Sequence, residues 1–360
     1  MKGQRQEAGD GSQQIQAENV YVIQGVTEER AVEISRKQAY LVVRELTDEA
    51  REEAERRIAS LEDKLIAELT AKNGLQAFAD PGFQVLLRRS QLQAASTSED
   101  SDHELLSKLL VERANESVKP VHMVVSQAVD VIDKIDTLAL SGLTGIWFVA
   151  LLFPARPDPE LGLKLIDELV SKIFHGQELP DGTRDGWLQR LDILDCIRYY
   201  PNQPLSRWHM PLTQALPGYV SKGVSRDDAE DIRRRLDSVL PGLADELVPH
   251  PFLDDHYRIN AGNSQEFVNR VVQRAGPVEM GELLRILHDA RVDMTNAEAI
   301  GAMGRYISEN LPNLERLRSW WDSMQTGLSP TPVGVAIAYC NAKRFDPMAG
   351  LPLLSEMVGN

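Results

Sequence analysis

Apolar and polar positions alternate only at the start of this chain. Ile15 and Ala17, then Val20 and Val22, fall at every second residue, the period of a half-buried strand. A ribbon this short buries too little surface to stand alone in water, and its open edges template pairing with another chain. These four positions are the expected self-assembly strand. From Thr27 onward everything reads as helix. Thr27 is the expected N-cap, with Glu28 and Glu29 in the first turn, and the pattern runs to Lys72 without Pro or Gly. Pairs such as Glu52–Arg56 and Glu68–Lys72 have the favoured i,i+4 order. Ala54, Ile58, Leu61, Leu65 and Leu69 draw a narrow apolar seam, as in a coiled coil. Residues 27–72 therefore read as an oligomerisation helix with its seam at Ile58, Leu61, Leu65 and Leu69, or as a hairpin broken at Leu46-Thr47-Asp48 and packed on its own body.

Asn73-Gly74 closes that region, and Asp80-Pro81 opens the next helix. Helical patterns follow over His103–Asn115, Pro120–Ile135 and Leu138–Phe153, after which Pro154, Pro157 and Pro159 punctuate the chain. Shorter helices are expected at Glu160–Phe174, Gly186–Tyr199, Asp227–Leu240, Ser264–Ala275, Met280–Ala290, Asn296–Asn310 and Leu314–Gln325. The fold class is mainly α, a multi-helix body with a short N-terminal β-strand or hairpin. Four regions result: 1–26, a tail with the β segment; 27–72, the charged helix; 73–156, a helical core domain; and 157–360, a second all-helical domain.

One run tests whether this body stays in water. Residues 137–155 carry no charge and approach the length of a membrane-spanning helix. Ser141, Gly142, Thr144 and Gly145 dilute its first half, so it reads as a central core helix, with membrane insertion of 138–153 as the rival. Composition is that of an ordinary globular chain, with 42% hydrophobic and 26% charged residues in 360. A net charge of −15 argues against a nucleic-acid surface and against anionic membranes. Only Cys196 and Cys340 occur, which fits a reducing compartment, and the polar N-terminus lacks a secretory pattern. A cytoplasmic location is expected.

Chemistry is sparse. There is no phosphate-binding glycine loop, no paired CxxC, no HExxH and no GxSxG. His250, Asp254, Asp255 and His256 place two imidazoles and two carboxylates within seven residues, a weak metal-site candidate whose spacing matches no standard site. Asp192 and Asp195 would share one helix face beside Cys196, as a carboxylate pair or as a charged face. The GxxG spacings at Gly142–Gly145 and Gly301–Gly304 suggest close helix packing. Adjacent Trp320 and Trp321 cannot share one side of a helix, which makes one of them an expected partner surface. No cofactor is expected.

Three stretches carry a family resemblance: residues 9–17, the helical runs 105–113 and 128–135, and Leu328-Ser329-Pro330-Thr331-Pro332-Val333-Gly334 near the end, which is similar to an "L-T-x-x-G" terminus with Thr331 and Gly334 as its Thr and Gly. With these the chain resembles bacterial phage-defence and abortive-infection proteins of the Abi-alpha-like group. Residues 158–275 have no counterpart there. The resemblance implies a helical cytosolic protein acting in defence with a protein partner, and implies no reaction. The resulting expectation is a non-enzymatic, self-assembling sensor or scaffold: a homo-oligomer with a protein partner and no nucleic acid. A membrane-acting effector using 138–153, and a metal-dependent hydrolase or nuclease using His250, Asp254, Asp255 and His256, are its rivals.

Overall fold

The computed structural model describes residues 26–358 apart from 45, 152, 154, 155, 275 and 346–350. Ile15, Ala17, Val20 and Val22, the expected assembly strand, lie outside the described residues. The fold is mainly α. Helices α1 (Glu28–Val43) and α2 (Asp48–Ala71) form a hairpin, broken where Leu46-Thr47-Asp48 suggested. The Thr27 hydroxyl accepts the Arg30 N–H at 3.3 Å, a local cap the sequence announces. Asn73, with φ of 56°, ends α2 in the left-handed region. Asp80 accepts the N–H groups of Gly82 and Phe83 at 3.1 and 3.2 Å and starts α3 (Pro81–Ser96). Next come α4 (Asp100–Asn115), α5 (Lys119–Val129), α6 (Thr137–Leu151), α7 (Pro159–Ile173) and α8 (Gly186–Ile193).

Five short strands among the described residues correct the expectation that all after residue 24 is helix. The pattern at 186–199 reads as one helix, but Asp195 turns left-handed (φ 60°) and strand β1 (Ile197–Pro204) follows. The chain continues through α9 (His209–Ala215), β2 (Val224–Ser225), α10 (Arg226–Val239), β3 (Leu247–Pro249), β4 (His256–Ile259), α11 (Ser264–Val271), α12 (Pro277–Asp289), α13 (Ala297–Asn310), α14 (Pro312–Ser323), β5 (Thr326–Pro330), α15 (Pro332–Phe345) and α16 (Leu354–Val358). Strand β1 pairs antiparallel with β5, Ile197 opposite Pro330 and Tyr199 opposite Leu328. Strands β2, β4 and β3 form a second antiparallel sheet in that order.

Helix α15 is the axis of the body. Every residue from Val333 to Ala342 is buried, the pattern of a helix enclosed on all sides. It packs against α4, α5, α6 and α7. Helix α6 is equally enclosed from Ala139 to Phe148, and the Asn341 side-chain amide donates to the Thr144 hydroxyl at 2.8 Å across the pair. The uncharged run is thus core, and Gly142 and Gly145 admit the rings of Trp187 and Trp320. No helix among the described residues is long and apolar enough to cross a membrane.

The expected boundary at 156–157 does not divide the core. One hydrophobic cluster runs from Ala31 on α1 to Leu354 on α16. A second, smaller cluster draws its members from between Val224 and Val292, a stretch from which only Leu253 and the partly buried Phe252 join the first. The seam on α2 belongs to the first body as well. Leu61, Leu65 and Leu69 join the main core, and Ile58 packs with Val43, Ala54 and Ala95. Helices α1, α3 and α4 of the same chain cover these four side chains, so they are not free to pair with a second copy.

Candidate functional site

Most of the side chains that the sequence nominates for chemistry are held by structural bonds or buried in the core. The His250 ring is buried; its Nε2 lies 2.9 Å from the Ser221 carbonyl and its Nδ1 accepts the Phe252 N–H at 3.0 Å. That arrangement fixes the Nε2–H tautomer and leaves no lone pair for a metal. Burial pushes the His250 pKa down to about 4, with the nearby Arg258 charge adding to the shift. His256 Nδ1 lies 2.8 Å from the Asp254 carbonyl. Asp255 turns the β3–β4 hairpin at φ of 55° and pairs with Arg226 at 3.2 Å. Among the described residues no group of three or more His, Cys, Asp or Glu is arranged to hold a metal ion. The metal reading of these four residues is therefore corrected to a folded hairpin.

The other nominations resolve the same way. Asp192 accepts the Tyr199 N–H at 3.1 Å, while Asp195 pairs with Arg198, so the two carboxylates do not share a face. Cys196 is buried and its thiol is pushed up to about 12, by burial first and then by the Asp195 charge. Cys340 is raised well above its ordinary value, again by burial. Trp320 and Trp321 are both buried. Their indole N–H groups donate at 2.8 Å to the carbonyls of Pro180 and Ser206, which corrects the expectation of an exposed partner surface. Two sides of α14 are covered, so adjacent rings on opposite faces are both enclosed.

What the sequence misses is an open basin of about 460 Å³ between α9, α13 and α14. That is the size of small-ligand sites. Ile300, Gly301, Gly304, Arg305, Ser308 and Glu309 line it from α13, three and four residues apart, as one helix face requires. Arg318 and Asp322 line it from α14, and Arg207, Trp208 and His209 from the start of α9. Asp322 ties the elements together by accepting the Trp208 N–H at 3.0 Å. Arg318 donates to Ser308 Oγ at 3.0 Å and to Glu315 at 2.8 Å, and its guanidinium lies over the Trp208 ring at 6.0 Å. Arg318 is thus a wall of the basin with its charge already paired.

Arg207 and Arg305 differ. Both are exposed, and neither side chain has a hydrogen bond or ion pair among the described residues. His209 between them is held below its ordinary pKa by burial, opposed by Asp322 and reinforced by Arg207 and Arg318. It stays neutral, with one N–H to donate. Gly301 and Gly304 also part company. A Cβ on Gly304 would meet Arg318 at 3.2 Å, whereas one on Gly301 would meet nothing nearer than 3.9 Å. Gly301 therefore bares helix backbone toward the basin.

Fold and basin together define a mainly α-helical protein with a ligand-sized basin at the junction of three helices, lined by both charged and apolar groups. A family model described only as ":-like" matches residues 25–353, and the chain belongs to that family, which has no assigned function. No curated protein and no solved structure matches it.

Proposed function

We propose that this chain is a non-enzymatic sensor or scaffold, binding a ligand or partner rather than converting one, and self-assembling through the segment before Val26. One observation carries the reading. Four of the groups that offered nucleophilic, acid–base or metal chemistry are engaged in backbone bonds or buried with their reactive forms disfavoured: His250 by Ser221 and Phe252, Asp192 by Tyr199, and both thiols by burial. Such groups serve the fold. The enclosed α6 weighs against a membrane-acting effector, since releasing it would open the main core.

Self-assembly rests on the period-two pattern of Ile15, Ala17, Val20 and Val22. Light scattering on the full chain and on a chain lacking residues 1–26 tests it: an oligomer for the first and a monomer for the second is the expected result. Equal mass for both removes the ribbon from the proposal. A role in anti-phage defence rests on the family resemblance alone. Plaque counts on cells expressing the chain test it, and protection that survives His256→Ala and Asp192→Asn agrees with a binding role. Protection abolished by either substitution, with the protein still folded, would point to catalysis instead.

A further inference from the structure

We propose that the basin between α9, α13 and α14 binds a phosphate group, gripped by the guanidiniums of Arg207 and Arg305. This goes beyond the sensor reading and is independent of self-assembly. The two side chains reach one cavity from separate elements, and neither is bonded among the described residues. Exposed arginines without a side-chain partner occur elsewhere among the described residues, Arg36 and Arg88 among them, and what sets this pair apart is that both line one cavity. In a chain with net charge −15, Arg113, Arg235, Arg270 and Arg344 all find carboxylates. Two guanidinium forks on different elements also define the ligand's geometry. A carboxylate has two oxygens and is satisfied by one fork, whereas a phosphate offers enough oxygens to engage two at once.

The surroundings narrow the ligand further. Glu309 and Asp322 line the same basin and offset its general field, so recognition rests on direct fork contacts and a monovalent anion gains little. Asp322 is fixed by the Trp208 N–H, and Arg318 by Glu315, which leaves Arg207 and Arg305 as the cations able to turn toward a ligand. His209, neutral, supplies one more donor. The Trp208 wall and the bare helix backbone at Gly301 give an organic substituent a surface to lie on. The ligand class is a phosphate ester or a diphosphate, free or as a lipid headgroup.

Calorimetric titration of the full chain with pyrophosphate tests the proposal. Saturable one-site binding is expected, weakened about tenfold or more in the Arg207→Gln/Arg305→Gln double variant. Neither side chain is bonded among the described residues, so the thermal midpoint should not move. Arg36→Gln/Arg88→Gln removes the same charge from other exposed, unbonded positions and should bind as the parent does. No binding of pyrophosphate by the parent overturns the proposal, as does equal weakening in the control pair. Flotation with phosphatidic acid vesicles separates the sources. Flotation lost in the Arg207/Arg305 variant assigns a lipid headgroup, and pyrophosphate binding without flotation assigns a soluble ester.

Discussion

Replacing Gly334 by Ala should destabilise the main core by about 2 kcal/mol, although Ala is the better helix former. Gly334 lies in the first turn of α15, against the loop that joins α8 to β1. The Thr331 N–H donates to the Cys196 carbonyl at 3.1 Å, its hydroxyl donates to the Asp195 carbonyl, and that hydroxyl accepts the Gly334 N–H at 3.1 Å. A Cβ on Gly334 would collide with the Cys196 carbonyl oxygen and sit 2.8 Å from its carbon and 3.2 Å from Cα. Comfortable carbon contacts begin near about 3.5 Å. The obstacle is backbone, so α15 must withdraw from the loop to which Thr331 is bonded. Overpacking of this kind costs about 1–3 kcal/mol, and a stretched hydrogen bond about 1 kcal/mol. Helix propensity returns about 1 kcal/mol. All five tryptophans belong to the main core, so their fluorescence in urea reports that core and not the second one. At a slope of about 2 kcal/mol per molar urea the midpoint falls by about 1 M with the slope unchanged. Gly301→Ala, facing open space, should instead raise it. A Gly334→Ala midpoint at or above that of the parent would refute the close approach of α15 to Cys196.

His250 should make stability depend on pH. Its folded pKa of about 4 lies below the ordinary 6.5, so the unfolded chain takes the proton first. The contribution is whole above pH 6.5 and is lost as pH falls toward 4, about 2 kcal/mol of it by pH 5. Urea midpoints by circular dichroism at pH 7 and 5 should fall farther for the parent than for His250→Gln; equal falls contradict the buried neutral ring. Arg258, almost wholly buried, donates to the carbonyls of Gly218, Pro157 and Ala261 and fastens the second core to the first. Arg258→Met should raise amide exchange across α10 and α12 while α15 stays protected, and uniform exchange would mean the two cores unfold as one. Trp320→Ala should cost about 3–5 kcal/mol by thermal or urea unfolding; a near-neutral result would return Trp320 to the surface.

Local signals were legible in the sequence, and non-local ones were not. The caps at Thr27 and Asp80, and the break at Leu46-Thr47-Asp48, depend on neighbours within four residues, and they lie where the sequence puts them. The seam at Ile58, Leu61, Leu65 and Leu69 has the same spacing whether its cover is α3 and α4 of this chain or a helix of another. Periodicity tells which face is apolar and not what covers it. Strand β1 was hidden for a related reason. Its pairing residue for Ile197 is Pro330, and the register is set by that distant segment. The basin draws on residues 207–209, 300–309 and 318–322, so no single window of sequence contains it.

The Thr331 and Gly334 pair shows why a motif and a site must be weighed separately. Thr331 caps α15 and Gly334 lets that helix touch the Cys196 loop, so the T-x-x-G pattern is accounted for by packing alone. A T-x-x-G pattern placed here reports a way of starting a buried helix, and carries no information about a ligand. Arg207 and Arg305 stand at the other extreme. Their guanidiniums bond to nothing among the described residues, they cost side-chain entropy when ordered, and they line a cavity large enough to be filled. Substitutions at Thr331 and Gly334 should therefore move stability and function together, whereas those at Arg207 and Arg305 should move function alone. The pairs can be told apart without knowing the ligand: in cells, loss of function in Gly334→Ala should track loss of soluble protein, and loss of function in Arg207→Gln should not.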